Sequence, residues 1–271
     1  MKNHGRRTER AVRRRMARPF VLAGLALATA LSLAAIASAA TSTITVGNLA
    51  LKVTSSVSPK ALPEKALAPI TFNLGVNVST KDGTHPPATV TFQGDVDKNS
   101  AINARGLPVC KQGQLEAQTT ALAKAACKEA LVGQGFAEAE VEFPESAPFD
   151  AKGPLLVFNG GQRGGKTLIL IHVYANVPTP TAFVTKVNVT KVNNGKYGLK
   201  FDSRIPVVAG GAGSLTGFSI KLRRMFTYKG RPQSYLLAKC PVGRLFGQGT
   251  LTFTDGTRLK GTAALPCTPK G

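Results

Sequence analysis

Apolar residues occupy every second position in the run Ile70-Thr71-Phe72-Asn73-Leu74-Gly75-Val76-Asn77-Val78-Ser79. Side chains of successive residues point to opposite faces of a β-strand, so this alternation predicts one buried face and one face in water. The dipeptide Asp82-Gly83 follows the run and favours a tight turn. The run therefore indicates a half-buried strand that ends in a turn.

Alternating runs of the same kind recur along the chain, at residues 155–158, 167–174, 183–192, 196–201, 217–228, 233–239, 249–254 and 257–265. Dipeptides that favour tight turns lie between several of them, namely Asn159-Gly160, Asn194-Gly195, Lys229-Gly230 and Asp255-Gly256. Many short strands joined by tight turns indicate antiparallel sheets, arranged as a sandwich or an open barrel. We predict an all-β fold, an antiparallel two-sheet β-sandwich over residues 40–271. One domain is expected because no linker divides this range; two sub-domains split near residue 150 are the alternative.

The first 39 residues have the composition of a signal peptide. Eight basic residues and one acidic residue lie among the first 18, and an uncharged apolar run follows over residues 20–36. Ala37-Ser38-Ala39 then offers the small residues that signal peptidase requires. We predict that residues 1–39 are removed and that the protein is secreted or held in the cell envelope without a stable transmembrane anchor. An uncleaved membrane anchor is the alternative.

All of the cysteines lie after this leader, at Cys110, Cys127, Cys240 and Cys267. An even number of cysteines in an exported chain favours disulfides over metal or redox chemistry. Of the three possible pairings, proximity in sequence favours Cys110–Cys127 and Cys240–Cys267. The second pair fits a hairpin whose tip is Asp255-Gly256, because its cysteines lie beyond the two arms.

Residues 111–131 interrupt the β pattern, because they are rich in residues that favour helices. A single helix from residue 114 to residue 131 would carry Cys127 about 20 Å away from its start. Cys110 could not then reach Cys127, since bonded cysteines have Cα atoms within about 7 Å. If the two are bonded, the chain must reverse between them. We predict a small disulfide-stapled insertion of two short helical turns, the second capped by Thr119 or Thr120 and ended by Gly133.

Positive charge is concentrated in the second half of the chain. Residues 151–271 contain 18 basic and 2 acidic residues, whereas residues 40–150 contain 9 basic and 11 acidic ones. Such a surface attracts anionic partners, which outside a cell include anionic envelope polymers and acidic glycans. The alternative is that the charge only keeps the protein soluble. Basic residues that alternate with apolar ones, and are therefore candidates for anion binding on the solvent faces, are Lys186, Lys200, Lys221, Arg223, Arg258 and Lys260.

One motif suggests a nucleotide site but lacks the required context. Residues 160–167 match the phosphate-binding pattern G-x-x-x-x-G-K-[ST], yet a strongly β-forming run follows where a helix N-terminus is needed. We therefore predict a glycine-rich hairpin loop and no nucleotide. The mature chain contains only two histidines, His85 in a Gly/Pro-rich turn and His172 in a strand, so no metal site and no cofactor are predicted.

No sequence pattern identifies a catalytic residue. Ser214 lies among glycines, but out of register with the nucleophile motif G-x-S-x-G. Glu138, Glu140 and Glu142 alternate with apolar residues and are expected on the wet face of a strand. Two such carboxylates could also form an acid–base pair, as in a hydrolase.

Several short motifs resemble those of a group of uncharacterised exported proteins from high-GC actinobacteria. They are the run of residues 106–110 ending in Cys110, then Cys127, the run of residues 131–135, and the later Cys240 and Cys267. The resemblance implies an exported protein with disulfides and no activity that can be carried over. We therefore expect an exported, non-enzymatic cell-envelope or secreted protein, structural or binding, that contacts anionic polymers through its basic half. A secreted hydrolase with a carboxylate-based site is the alternative.

Overall fold

A computed structural model describes residues 39–177 and 179–271. The predicted signal peptide lies outside the described residues apart from Ala39. The strands of the described ranges are β1 (Ala40–Val46), β2 (Leu49–Ser58), β3 (Ala61–Pro63), β4 (Ala68–Pro69), β5 (Thr71–Thr80), β6 (Thr89–Asp97), β7 (Ser100–Ile102), β8 (Leu131–Val141), β9 (Phe149–Arg163), β10 (Lys166–Ala175), β11 (Thr181–Asn194), β12 (Tyr197–Arg204), β13 (Gly213–Leu222), β14 (Met225–Tyr228), β15 (Arg231–Ser234), β16 (Leu236–Ala238), β17 (Arg244–Phe253), β18 (Arg258–Pro266) and β19 (Thr268–Lys270).

Twelve of these strands form one continuous sheet in which all neighbouring strands are antiparallel. Their order is β1-β2-β5-β13-β8-β9-β10-β11-β12-β6-β17-β18. The sheet curls until its two edge strands, β1 and β18, lie beside each other with Cα atoms within 8 Å. The predicted all-β, antiparallel class is confirmed. The two separate sheets of a sandwich are not, because the strands form a single, nearly closed, barrel-like sheet.

The barrel-like sheet is flattened, so that opposite walls touch. Phe92 of β6 and Phe218 of β13 lie six places apart in the strand order, yet their ring centroids are 6.3 Å apart in an edge-to-face arrangement. Aromatic pairs of this geometry pack favourably across a core. The two walls are therefore in contact across the core at this point.

Alternation along each strand places apolar side chains inside. The run that opened the sequence analysis forms β5, whose Phe72, Leu74 and Val76 face the interior. Ile169, Ile171 and Val173 of β10, four places further along the strand order, do the same. The interior is therefore the main core of the molecule.

One end of the barrel is covered by the long connections and their short strands, and we call it the plugged end. The connection between β13 and β17, which contains β14, β15 and β16, crosses it. Leu62 and Tyr235 are fully buried there. The Cys240–Cys267 disulfide, with Cα atoms 6.1 Å apart, joins this connection to the end of β18. The predicted pairing of these two cysteines is confirmed.

The helical insertion lies on the outer face of β9 and β10. It consists of a 3₁₀ turn (Gln112–Gln114), the helix α1 (Thr120–Ala126) and a second 3₁₀ turn (Lys128–Ala130). Thr119 caps α1, since its hydroxyl accepts a hydrogen bond from the Leu122 amide at 3.3 Å. The Cys110–Cys127 disulfide is present, with Cα atoms 5.5 Å apart. The chain therefore reverses between these cysteines as predicted.

Two details of the sequence analysis are wrong. Gly133 does not end the insertion but lies inside β8, where a Cβ would approach the Lys221 carbonyl oxygen to 2.8 Å. Asn159-Gly160 is not a turn but part of β9. The side-chain amide nitrogen of Asn159 donates a hydrogen bond to the Pro108 carbonyl oxygen at 2.9 Å. This buried side chain therefore connects β9 to the start of the insertion.

Candidate functional site

The barrel encloses a cavity of about 640 Å³. This volume lies within the range of ~300–1,000 Å³ that is typical of small-molecule sites. Inward-facing side chains from strands all around the sheet line it, among them Val53, Leu155, Ile171, Val173, Phe183 and Phe201. A partly open space with such a lining favours the binding of apolar surface.

The end of the barrel opposite the plugged end carries the mouth of this cavity. Val177 and Val207 line the cavity and are also 49% and 73% exposed. Residues 205–212 lead across this end from β12 to β13, which lie five places apart in the strand order. Residues 81–88 cross the same end from β5 to β6. The mouth therefore has an apolar rim and two crossing segments, which we call the 81–88 and 205–212 crossings.

Hydroxyl-bearing residues interrupt the apolar lining at several positions, among them Ser42, Ser100, Thr179, Thr181 and Thr185. Ser55, Ser203 and Tyr235 all line the cavity, with exposed fractions of 4%, 4% and 0%. Within the part of the chain that the structure describes, their side-chain oxygens have no hydrogen-bond partner. An unpaired buried hydroxyl costs on the order of 1–3 kcal/mol. These three oxygens have almost no accessible surface, so neighbouring protein atoms separate them from the cavity.

Ionised groups near the cavity are paired with groups on the outer face. The carboxylate of Asp95 accepts a hydrogen bond from the Gln248 side chain at 2.6 Å. The carboxylate of Glu138 lies 3.8 Å from the Lys152 ammonium. These are the two charged residues among the described residues that border the cavity. The interior is therefore apolar with isolated hydroxyls.

The structure brings together three residues that sequence analysis treated separately. On the outer face of the sheet, the His85 ring contacts the Ser214 hydroxyl through Nε2 at 3.0 Å and the Glu140 carboxylate through Nδ1 at 2.7 Å. This order of groups matches that of a serine nucleophile, its base and the orienting acid. The three lie 55 and 129 residues apart in sequence, which is why spacing could not reveal them.

Hydrogen bonding and burial indicate that this cluster has a structural role. The Ser214 hydroxyl donates its hydrogen bond to the Pro86 carbonyl oxygen, so its proton is not directed at His85. Ser214 is 1% exposed beneath the 81–88 crossing. In this arrangement His85 fastens the 81–88 crossing to β8 and β13.

The six candidate anion-binding residues are all exposed but lie on different walls. Lys186 and Lys200 are on the neighbouring strands β11 and β12, and Lys200 is opposite Asp95 of β6. Arg258 and Lys260 are on β18. Lys221 on β13 and Arg223 directly after it lie five strands away from β12. The structure therefore distributes these cations around the barrel and does not gather them into one row.

The segment that matches the phosphate-binding pattern, residues 160–167, lies in a hairpin. Strand β9 continues to Arg163, Gly164 and Gly165 form the turn, and β10 begins at Lys166. Both glycines have positive φ, which this tight turn requires. Within residues 39–177 and 179–271, no group of three metal-binding side chains occurs.

Comparison of the chain with protein-family models, with curated proteins and with solved structures finds no match. The two disulfides indicate an oxidising, extracellular compartment. In the described part of the chain, no helix has the length and apolar character needed to span a membrane.

Proposed function

We propose that this chain is an exported, non-enzymatic binding protein that holds one apolar molecule inside its barrel-like sheet. The observation that carries the proposal is the cavity of about 640 Å³ with its apolar lining. Burial of apolar surface contributes roughly 25 cal/mol per Å², so a chain-like molecule in this space would be held mainly by the hydrophobic effect. Such a protein would carry a water-insoluble compound through an aqueous compartment.

The location of the protein is part of the same proposal. The predicted leader over residues 1–39 and the resemblance to exported actinobacterial proteins support secretion or retention in the cell envelope. The disulfides are consistent with either destination. A carrier of this kind would act between the membrane and the outer layers of the envelope.

Contact with anionic envelope polymers or acidic glycans is a second, separate element of the proposal. The excess of basic residues in the range 151–271 supports it. Because the cations lie on several walls of the barrel, the contact would be diffuse and electrostatic. It should weaken steeply as salt is raised from low to high concentration, and a salt-independent interaction would argue against it.

A secreted hydrolase, the alternative function, would have to use the carboxylates on the outer face of the sheet. Glu138 lies beside Lys152, and Glu140 is hydrogen-bonded by His85. Ser214, the hydroxyl closest to this group, is held by the Pro86 carbonyl. These contacts favour a structural role for the group, so binding in the cavity is the function we propose.

Titration with an uncharged fluorescent probe, N-phenyl-1-naphthylamine, tests the binding function. We expect saturable binding of one probe per chain, with the blue-shifted emission of an apolar site. Ala263 faces the cavity and Ala264 is exposed on the other face of β18. Ala263→Phe should abolish or strongly weaken binding, and the matched variant Ala264→Phe should bind as the unaltered protein does.

Two results would overturn the proposal. The first is the absence of saturable binding to the unaltered, folded protein. The second is equal binding by the two alanine variants, which would place the probe outside the barrel. If Ala263→Phe does not fold, Ala139→Leu on the opposite wall fills part of the same cavity and serves the same purpose.

A further inference from the structure

The two ends of the barrel differ in charge. The segments at the plugged end contain 14 basic and 3 acidic residues; they are residues 59–70, 98–130, 164–165, 195–196, 223–243 and 267–271. The described segments that join strands at the mouth contain 1 basic and 4 acidic residues; they are residues 47–48, 81–88, 142–148, 205–212 and 254–257. Positive charge is therefore concentrated at the end of the barrel that lies away from the mouth.

Part of this charge lies in residues 221–231, which run from the end of β13 through β14 to the start of β15. The segment contains five basic residues and no acidic one, namely Lys221, Arg223, Arg224, Lys229 and Arg231. Arg224 and Lys229 flank β14, so they are about 16 Å apart along the chain, at roughly 3.3 Å per residue. The cations are thus spread along a line and do not converge on one point.

A neighbouring segment adds a cation to this line. Gly106 lies against the Tyr228 ring of β14, so closely that a Cβ atom would have no room there. The Asn103 side chain donates a hydrogen bond to the Gln233 side chain of β15 at 3.0 Å. These contacts hold Arg105, which is exposed, beside the β14–β15 hairpin.

The helical insertion adds another cation at the base of the hairpin. The Arg224 guanidinium donates a hydrogen bond to the Glu129 carboxylate at 2.9 Å, and Lys128 next to Glu129 is exposed. We call the remaining exposed cations of this region the basic patch, which consists of Arg105, Lys128, Lys221, Arg223, Lys229 and Arg231. Two of them, Lys221 and Arg223, are candidates from the sequence analysis, and the other four candidates lie on other walls.

The basic patch is not neutralised by the protein itself. The pair of Arg224 with Glu129 uses the acidic group nearest to it. Among the described residues, no carboxylate lies within 4 Å of a cationic nitrogen of the patch. Exposed like charges repel one another, so an anionic partner that contacts several of them gains more than one that contacts a single residue.

We infer that the basic patch is the surface on which an anionic envelope polymer binds, and that the partner is a flexible polyanion with an anionic group in each repeat. Such a chain can contact cations on both sides of β14 at once, whereas a small anion can contact only one or two. Arginine also pairs with phosphate or carboxylate through two parallel hydrogen bonds. The inference rests on the proposed contact with anionic polymers and adds to it the surface and the resulting orientation, in which the mouth faces away from the polymer.

An anionic bilayer does not fit this orientation. A membrane bound at the plugged end would lie opposite the mouth, through which the proposed apolar molecule enters. Binding of a polymer at the same end leaves the mouth accessible. The polymer and the apolar molecule should therefore bind independently of each other.

Fluorescence anisotropy with end-labelled polyphosphate and polygalacturonate of equal chain length tests the inference. Both should bind at low salt, polyphosphate more tightly because it carries more charge per unit length. Arg223→Gln/Lys229→Gln/Arg231→Gln should weaken binding by about tenfold or more, and the slope of log K against log salt should fall by about 2–3. Lys186→Gln/Arg258→Gln/Lys260→Gln is the matched control, because it removes the same charge from exposed positions on β11 and β18 and should bind nearly as the unaltered protein does.

The outcomes separate the inference from the proposed function. If neither polymer binds the unaltered protein at low salt, the proposed contact with anionic polymers fails. If the polymers bind but the two triple variants lose affinity equally, only the assignment to the basic patch fails. Tighter binding to vesicles of anionic phospholipid than to either polymer, lost in the patch variant, would show a membrane-binding surface and would also overturn the inference. Unchanged binding of N-phenyl-1-naphthylamine by the patch variant is expected and confirms that this variant is folded.

Discussion

Gly261 of β18 lies directly against Ile44 of β1, so that a Cβ atom on Gly261 would come within 2.8 Å of the Ile44 Cδ1 atom. These two residues belong to the edge strands of the twelve-stranded sheet, which meet where the barrel closes. The isoleucine side chain takes the space that the glycine leaves free. The absence of a side chain at residue 261 therefore allows the two edges to approach.

Replacement of Gly261 by valine should separate the edges of the sheet. The branched side chain would press on Ile44, and overpacking of this kind costs about 1–3 kcal/mol. We expect a lower free energy of unfolding in urea and weaker binding of the fluorescent probe. Gly247→Val on the neighbouring strand β17 is the matched control, because nothing lies closer than 3.8 Å to a Cβ there. Equal stability of the two variants would show that this contact does not control closure.

Removal of either disulfide should lower stability by a similar amount. The bonds close loops of 17 and 27 residues in sequence separation, for which the loop-entropy relation gives about 3–4 kcal/mol each. We expect this loss for Cys110→Ala/Cys127→Ala and for Cys240→Ala/Cys267→Ala in urea unfolding. Peptide mapping without reduction should recover only these two pairs, and a Cys110–Cys240 peptide would contradict the fold.

Tyr235→Phe should stabilise the protein. The substitution removes a buried hydroxyl without a protein partner, so the free energy of unfolding should rise by about 1 kcal/mol. Tyr197→Phe should instead lower it slightly, because that hydroxyl has a partner. A loss of stability in Tyr235→Phe would mean that the hydroxyl already has a hydrogen-bond partner in the folded protein.

His172 should make the protein sensitive to acid. Its Nε2 donates to the Gln118 carbonyl at 2.9 Å, while Nδ1 is buried and has no partner in the described ranges. Burial lowers the pKa of His172 below its ordinary value of 6.5. As the pH falls below 6.5, His172 therefore takes up a proton in the unfolded state before it does so in the folded state. The free energy of unfolding decreases between pH 6.5 and the lower pKa of the folded state.

The measurement is the urea midpoint at about pH 7.5 and about pH 5.5, where we expect a lower midpoint in acid. The difference should be smaller in His172→Gln. The matched control is His85→Gln, in which the contribution of His172 is still present. An unchanged acid dependence in His172→Gln would assign the effect to other groups.

Local features of this fold could be predicted from the sequence because they depend on near neighbours. The alternation in β5 identifies a half-buried strand, and a bond between Cys110 and Cys127 demands a reversal of the chain between them. Thr119 is a recognisable helix cap. In each case the determining contacts lie within a few tens of residues.

Closure of the sheet and the contents of its interior depend on distant residues. Inward and outward side chains alternate identically in a sandwich and in a barrel, so the pattern alone could not distinguish them. Tyr235 lies in a run that resembles an ordinary strand, and only the crossing of the plugged end brings it beneath the cavity. His85 and Ser214, 129 residues apart, meet because the 81–88 crossing passes over β13.

The most direct test is the position of a heavy atom on a bound chain. Crystals of the protein with dodecanol brominated at the carbon farthest from the hydroxyl would locate the bromine by anomalous scattering. We expect one bromine inside the barrel, among the apolar side chains that line the cavity. A bromine on the outer surface, or no ordered bromine in crystals saturated with the alcohol, would contradict binding inside the barrel.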